Sequence, residues 1–520
     1  MNLKRPLFQF FRFHWLIMLI MFTPMAHAQK AEFPVKGFHL DLRIQVMKMP
    51  KLKAFVKDLS ANGINTLIME WEGTYPFEKH PVIQNQYAYS RQEIVDFVSY
   101  CETLGVDVIP LQQSFGHVEY ILKNYRYRDL REDQQDFSQV NPIKEDLCRS
   151  LFADLFADMI STHRSPYFHI GGDETYLLGK GKESKAKAEK VGLGRVYGDY
   201  IKMLCELVIS LGKTPVVWAD IALKYPDALE GLPKQTVFVD WNYGWELDRF
   251  GDHKKLVESG FEIWGAPAIR SYPDTYFLTD WWKHLNNVKT FIPQAKELGY
   301  KGIVITSWST SGLYSTIMES SSDLVDLHAI RRVYPISGFS LLTNAFFTAV
   351  NQSESLDIEE FSTDYAQKRY GLDENNASAF YRALISAPYE VNQGKVSKAG
   401  MSLPTLIDSA HHTLQTFENL PVKSNKQEFA HYKLMANIRY NYLVCIAVEN
   451  ELNQVAFKQA DAANALAKLK RLNVKEVDKE FKALQSDLLF DSEIKQEEYL
   501  RNYRYHLLVS KLEKWIQNQS

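Results

Sequence analysis

Between Gly37 and Arg332 the chain repeats one unit: a short apolar, β-branched run, an amphipathic stretch of helical period, and a glycine that restarts the run. Eight such runs occur, and after about Val350 only helical patterns follow. Together these predict an α/β chain, a (β/α)8 TIM barrel followed by an α-helical C-terminal domain. A third observation fits: acids and indoles gather at one end of the runs, the end where such a barrel keeps its active site.

The predicted strands are residues 38–42, 64–70, 106–111, 167–171, 215–218, 237–241, 262–264 and 302–308. Gly63, Gly105, Gly212, Gly260 and Gly299 precede five of them, as glycines that end a helix in the left-handed conformation. A doubly wound open sheet would also alternate, but no Gly-rich phosphate loop follows the first strand. The C-terminal helices are predicted at 358–370, 377–387, 404–417, 429–452, 454–472, 474–488 and 494–516. Their charged runs, such as residues 425–433, read as solvated faces opposite apolar ones.

The first 28 residues read as a signal peptide, with Lys4 and Arg5 as a basic start, an apolar core over 15–22, and Ala26-His27-Ala28 as the cleavage site. Export to a periplasmic or extracellular location is expected. The domain plan is therefore 1–28 signal peptide, 29–345 barrel and 346–520 helical domain. The net charge of -3 gives no electrostatic case for nucleic acid or an anionic membrane, and no later stretch is apolar enough for stable membrane insertion. Cys101, Cys148, Cys205 and Cys445 are scattered without metal spacing, and buried free thiols are expected. No cofactor and no metal are predicted, and the oligomeric state is not legible.

The chemistry centres on Tyr167-Phe-His-Ile-Gly-Gly-Asp-Glu174, where an apolar run breaks at two glycines and delivers adjacent carboxylates. Two acids in one cleft can be driven to different protonation states. Trp218, Trp241, Trp264 and Trp308 end the last four strands. Rings at the mouth of a polar cleft suit a sugar, whose C–H faces stack on them while charged groups take the hydroxyls.

These segments carry a resemblance. His169-Ile-Gly-Gly-Asp-Glu174 resembles the signature of glycoside hydrolase family 20, the β-N-acetylhexosaminidases. Gly37-Phe-His-Leu-Asp-Leu-Arg43, Glu70-Trp-Glu-Gly-Thr-Tyr-Pro-Phe77 and residues 110–123 are most similar to its hexosaminidase D branch. The likeness runs from about residue 37 to 330 and leaves out the helical tail.

The resemblance implies an exo-acting, retaining enzyme that removes terminal β-linked N-acetylglucosamine or N-acetylgalactosamine from an oligosaccharide or glycoconjugate. Its nucleophile would be the substrate's own acetamido group, through an oxazolinium intermediate. Glu174 would be the general acid/base, Asp173 would hold the acetamido N–H, and Tyr243 the acetamido oxygen. The implied sugar-binding set is Arg43, Glu70, Glu72, His117, His169, Trp218, Asp220, Trp241, Trp264 and Trp308. Within it His117 would pair with Glu70 or Glu72 in support, and the four indoles would wall the subsite.

Two departures stand out. The α/β domain that often precedes this barrel is expected to be absent, and Trp308-Ser309-Thr310 lacks the acid that tends to hold the outer hydroxyls, which leaves epimer choice open. Two other classes compete: a glycan-binding barrel without turnover, and a metal-dependent barrel hydrolase.

Overall fold

A computed structural model describes residues 33–271, 274, 279–310, 333–386, 391–392, 395–396 and 401–518. The expected signal segment lies outside the described residues. From Glu32 onward the chain forms one compact unit.

The strands are β1 (Val35–Asp41), β2 (Thr66–Glu70), β3 (Asp107–Leu111), β4 (Tyr167–His169), β5 (Thr214–Trp218), β6 (Val237–Trp241), β7 (Glu262–Ala266), β8 (Ala268–Arg270) and β9 (Gly302–Ser307). All pair in parallel with their neighbours in the sheet, and β1 pairs with β9 from Val35↔Gly302 to Leu40↔Ser307, closing the barrel. β7 and β8 are one barrel strand interrupted at Pro267, which has no N–H to give the ladder; its carbonyl still accepts the Thr306 N–H at 2.8 Å. Eight strand positions result, as the sequence predicts.

Alternation along the strands separates two cores. Ile68, Ile109, Val216, Val239 and Val304 fill the barrel interior, while Leu67, Met69, Val217 and Phe238 face the surrounding helices. The five restart glycines take the left-handed backbone expected of helix ends, with φ from 71° to 86°. All four cysteines are buried and free.

Trp264 departs from expectation. It is fully buried in the barrel interior rather than at its mouth. Its indole donates to Glu262 Oε1 at 2.8 Å, near the strand's start, and packs edge-on against Tyr167, the first residue of β4. Gly302 makes this possible, because a Cβ there would fall 2.6 Å from the indole. The cause is strand length: the seventh barrel strand continues past Pro267 to Arg270, so Trp264 lies on the order of 20 Å of chain before its end.

The helical region follows the predicted order, from Ile358–Tyr370 to the 27-residue helices Lys426–Leu452 and Asp491–Gln517. The helix Ser340–Asn351 spans the expected 345/346 division and packs on the outer barrel helix Trp281–Glu297. The tail does more than cover outer helices. Val46 N–H donates to Glu493 Oε1 and Lys48 N–H to the Leu488 carbonyl, both at 2.8 Å. Thus the end of the chain grips the loop after β1, on the barrel's C-terminal face. Among the described residues no helix is long and apolar enough to cross a membrane.

Phe481, fully buried in the tail, packs edge-on against Tyr334 at 6.1 Å between centroids. Phe481→Ala should cost about 3–5 kcal/mol, as large-to-small core changes do. Urea denaturation followed by circular dichroism would read this as a lower midpoint, and an unchanged midpoint would refute the tail's role as part of the core.

Candidate active site

At the C-terminal face a cavity of about 240 Å³ is lined by Arg43, His117, Asp173, Glu174, Trp218, Trp241, Tyr243, Trp245, Arg249, Ser271, Trp308 and Thr310. Eight of the predicted site residues are among them: Arg43, His117, Asp173, Glu174, Trp218, Trp241, Tyr243 and Trp308.

The carboxylate pair is presented by a strand that ends early. Regular pairing of β4 stops at His169, yet Ile170 N–H still donates to the Val216 carbonyl at 2.9 Å and Trp218 N–H to the Gly171 carbonyl at 3.1 Å. Gly171 turns left-handed at φ 72°, where a Cβ would lie 1.9 Å from Gln113 Oε1. Only glycine lets the chain turn there. The turn is held by the Tyr197 hydroxyl, which donates to the Gly172 carbonyl at 2.9 Å.

Beyond the turn, Glu174 itself sits at φ 46°, a conformation that costs a non-glycine residue about 1–3 kcal/mol unless its surroundings enforce it. Asp220 supplies part of that enforcement by accepting the Glu174 N–H on Oδ2 at 3.1 Å. Its Oδ1 accepts the Trp241 indole N–H at 3.3 Å. Asp220 was expected to bind sugar; it lies behind the wall and holds backbone instead.

His117 Nε2 is 3.3 Å from both Asp173 Oδ2 and Glu174 Oε2. Burial alone would lower the imidazole's affinity for protons, but the two carboxylates outweigh it and raise the pKa well above its usual value. His117 is therefore an imidazolium at neutral pH. Burial favours protonated Glu174, yet His117 and a hydrogen bond from Tyr176 bring that carboxyl below its ordinary value. Asp173 Oδ1 is buried and has no hydrogen-bond partner, so this cavity-lining residue presents an acceptor without a donor.

The expected pairing of His117 with Glu70 or Glu72 is corrected by the structure. Glu70 is bonded to His39, whose Nε2 is 2.9 Å from Oε2, and to Arg43, whose Nη2 donates to Oε1 at 2.7 Å. The side chains of His39 on β1 and Glu70 at the end of β2 meet, whereas His117 stands on the loop after β3 and meets the acids that follow β4. Arg43 Nε also meets Asp41 Oδ1 at 3.1 Å and Glu72 Oε1 at 3.6 Å. Burial would raise Glu70, but Arg43 and His39 bring it down to about 2. Glu72 goes the other way, well above its usual value, because burial and the neighbouring acids outweigh the pull of Arg43. Neither glutamate lines the cavity; they orient Arg43.

His169 is likewise a support. It is fully buried, its ring packs 4.6 Å from Trp218, and burial with the nearby His39 lowers it to about 3, so it is neutral. Its Nδ1 accepts the Gly171 N–H at 3.0 Å. Trp308, whose ring lies 6.0 Å from that of Trp218, donates its indole N–H to the Tyr243 hydroxyl at 2.8 Å. Burial keeps the Tyr243 phenol protonated by raising its pKa.

Sequence reasoning missed Trp245, Arg249 and Ser271 in the lining, and Tyr176 beside Glu174; Thr310, noted there only for the acid it replaces, also lines the cavity. Trp245 was the most accessible of these, two residues beyond Tyr243 in the same loop. Ser271 follows directly from the true end of the seventh barrel strand. Arg249, stacked 4.4 Å above Trp245, carries no signal in an alternating pattern.

Residues 33–314 match the model of the glycosyl hydrolase family 20 catalytic domain. Hexosaminidase D of Bos taurus is 29% identical over 297 residues, 54% of this chain and 86% of that protein. Hexosaminidase D of Homo sapiens is 28% identical over 304 residues, 55% of this chain but 62% of that protein, under two thirds of its length. A crystal structure of a β-N-acetylhexosaminidase from Bacteroides fragilis superposes with a TM-score of 0.49 at 18% identity, over 65% of this chain and 69% of that one.

Asp220 offers a test of this electrostatic arrangement. Burial and the adjacent Asp173 raise it from the ordinary 3.8 to about 8. The folded chain then holds a proton that the unfolded chain releases, so the stability it contributes is complete below about pH 4 and is lost as pH rises through about 8. Asp220→Asn, a permanently neutral isostere, should flatten this fall. Thermal melts of both proteins across that range would show it, and parallel curves would contradict the assignment.

Proposed function

The chain belongs to glycosyl hydrolase family 20, and from this premise we propose that it is an exo-acting, retaining β-N-acetylhexosaminidase working by substrate-assisted catalysis. Its substrates are glycans or glycoconjugates ending in β-linked N-acetylglucosamine or N-acetylgalactosamine. The observation that carries the reading is the pair at the cavity floor: Asp173 with an unpartnered buried oxygen, beside a Glu174 whose carboxyl faces the same space.

In the proposed reaction the acetamido N–H donates to Asp173 and the acetamido carbonyl accepts from Tyr243. This aims the carbonyl oxygen at the anomeric carbon, replacing a bimolecular attack by a positioned one. As that oxygen bonds to carbon, the C–O bond to the leaving group breaks and Glu174 gives its proton to the departing oxygen. Asp173 offsets the positive charge of the oxazolinium, and the fixed charges of a water-poor site make that contact strong. Water, deprotonated by Glu174, then opens the ring with net retention.

Arg43, held by Asp41 and Glu70, presents its guanidinium to sugar hydroxyls, and Trp218, Trp241 and Trp308 offer faces to the ring. A cavity of about 240 Å³ suits one sugar residue, which supports exo action. Thr310 stands where an acid would discriminate the outer hydroxyls, so both epimers are accepted. The segment before Gln29 directs export, for which its basic start, apolar core and Ala-x-Ala end are the support.

Chromogenic β-N-acetylglucosaminides and β-N-acetylgalactosaminides should both be hydrolysed, while a β-glucoside with a free 2-hydroxyl stays intact. A thiazoline mimic of the intermediate should inhibit strongly. Asp173→Asn should lower kcat by about 10²–10³, the usual effect of deleting a preorganised electrostatic contact. A covalent glycosyl ester trapped on the enzyme would overturn the mechanism, and absence of turnover on both sugars would favour a glycan-binding role.

N-terminal sequencing of the protein recovered from its host should begin at Gln29. Retention of Met1 would reject the export proposal.

A further inference from the structure

Glu174 Oε1 is taken, in the structure, by a residue outside the cavity lining. Tyr176 stands two residues on, and its hydroxyl donates to that oxygen at 2.5 Å. The other oxygen, Oε2, faces His117 Nε2 at 3.3 Å, and the Glu174 N–H is fixed by Asp220. Both carboxylate oxygens are thus engaged by protein groups.

The two engagements differ in kind. His117 is only 5% exposed and also faces Asp173, so Oε2 is tied to a buried, charged neighbour. Tyr176 is 56% exposed. Its ring can leave toward solvent without opening the core, whereas His117 cannot. An acid must direct one oxygen at the glycosidic oxygen, within about 2.6–3.2 Å, to pass a proton to it. Oε1 is the oxygen available for that.

Resting on the functional reading above, we infer that Tyr176 is a positioning residue that occupies the proton-donating oxygen of Glu174 in the empty enzyme and yields it when a glycoside enters. The glycosidic oxygen takes the place of the phenol on Oε1. The displaced ring remains at the mouth, on the side of the departing group.

The exchange has an electrostatic consequence. A phenol donating to a carboxylate favours the ionised form, and Tyr176 stays protonated because burial and the charge of Glu174 raise its own pKa. The groups around Glu174 are His117 and, through space, Arg43, both favouring ionisation; Asp173 and Asp220 are the acids bearing on the same corner. Losing the phenol removes one of the two direct donors, so Glu174 recovers a proton from solvent as substrate displaces it. That proton then passes to the leaving oxygen while the C–O bond breaks.

The two kinetic parameters separate this from a structural role, because the pH dependence of kcat/KM reports the free enzyme and that of kcat the complex. In Tyr176→Phe the alkaline limb of kcat/KM should move to higher pH, while the alkaline limb of kcat stays where it is. Above the parent's limb the variant should then exceed the parent in kcat/KM by about threefold or more, as expected for loss of a partly exposed bond to a charged group. Tyr176→Leu, which likewise has no donor to offer Oε1, should move the same limb.

Unmoved limbs with a general loss of rate, or both limbs moving together, would overturn the inference. A second measurement needs no turnover: ¹³C NMR titration of the Glu174 carboxyl should show a higher midpoint in Tyr176→Phe than in the parent, and equal midpoints would refute it. An inactive parent would defeat the functional reading, with the titration still deciding the role of Tyr176.

Discussion

A guanidinium buried at the barrel mouth is the constraint to which the site answers. Arg43 is 4% exposed, and a charge so placed survives only with carboxylates against it. Asp41 and Glu70 supply them from the ends of β1 and β2, with Glu72 beyond. Asp41 also accepts from Ser309, at 2.9 Å to its N–H and 2.6 Å to its hydroxyl, so the clamp spans the seam where β1 meets β9. Closure of the barrel and orientation of Arg43 are therefore one structural event. Removal of Asp41 or Glu70 would leave Arg43 with one fewer bonded carboxylate beside a strand junction.

The same region holds the chain's strained backbone. Gln45, Glu72, His117 and Glu174 are four of the five non-glycine residues at positive φ among the described residues, and all four belong to loops on the C-terminal face. Three of the four have a visible side-chain restraint. Gln45 donates to the Val333 carbonyl at 2.8 Å and accepts from Arg270 at 3.2 Å; Glu174 is held by Asp220; His117 is held by Asp173 and Glu174. Strain maintained by fixed partners keeps side chains aimed without relying on flexible loops. The tail joins this framework, since Glu493 anchors Val46, one residue beyond Gln45.

What the sequence revealed follows from which signals are local. Strand–helix alternation and helix-ending glycines are local, so the eight barrel positions and the order of tail helices were legible. So was Asp173-Glu174, because two glycines before two acids at a strand end is a compact pattern. Strand length was not legible where a proline interrupts pairing without ending the strand, and this put Trp264 at the mouth instead of in the barrel interior. Partner identity was not legible either. His39 and His117 both precede acids that suit them, and only the closed barrel decides that His39 meets Glu70 while His117 meets Asp173 and Glu174. Tyr176 is two residues from Glu174, yet nothing in spacing alone says that the chain doubles back to bring its hydroxyl there.

The protonation states give the site its directionality. Glu70 is ionised against Arg43, Asp220 is neutral and Glu72 is shifted toward its protonated form, while His117 is cationic beside Asp173 and Glu174. For the proposed reaction neutral Asp220 matters in particular, because a further carboxylate charge there would oppose the one proposed to face the oxazolinium. A cation at His117 serves both acids: it lets them stand side by side in the cavity wall, where two unshielded carboxylates would force one to take up a proton. The cost is a Glu174 biased toward ionisation, and the general-acid role proposed for it requires that bias to be reversed when substrate binds. Within this arrangement the reversal has to come from contacts that substrate changes. His117 is fixed from behind by burial, so the changeable contact is the one on the solvent side, at Tyr176.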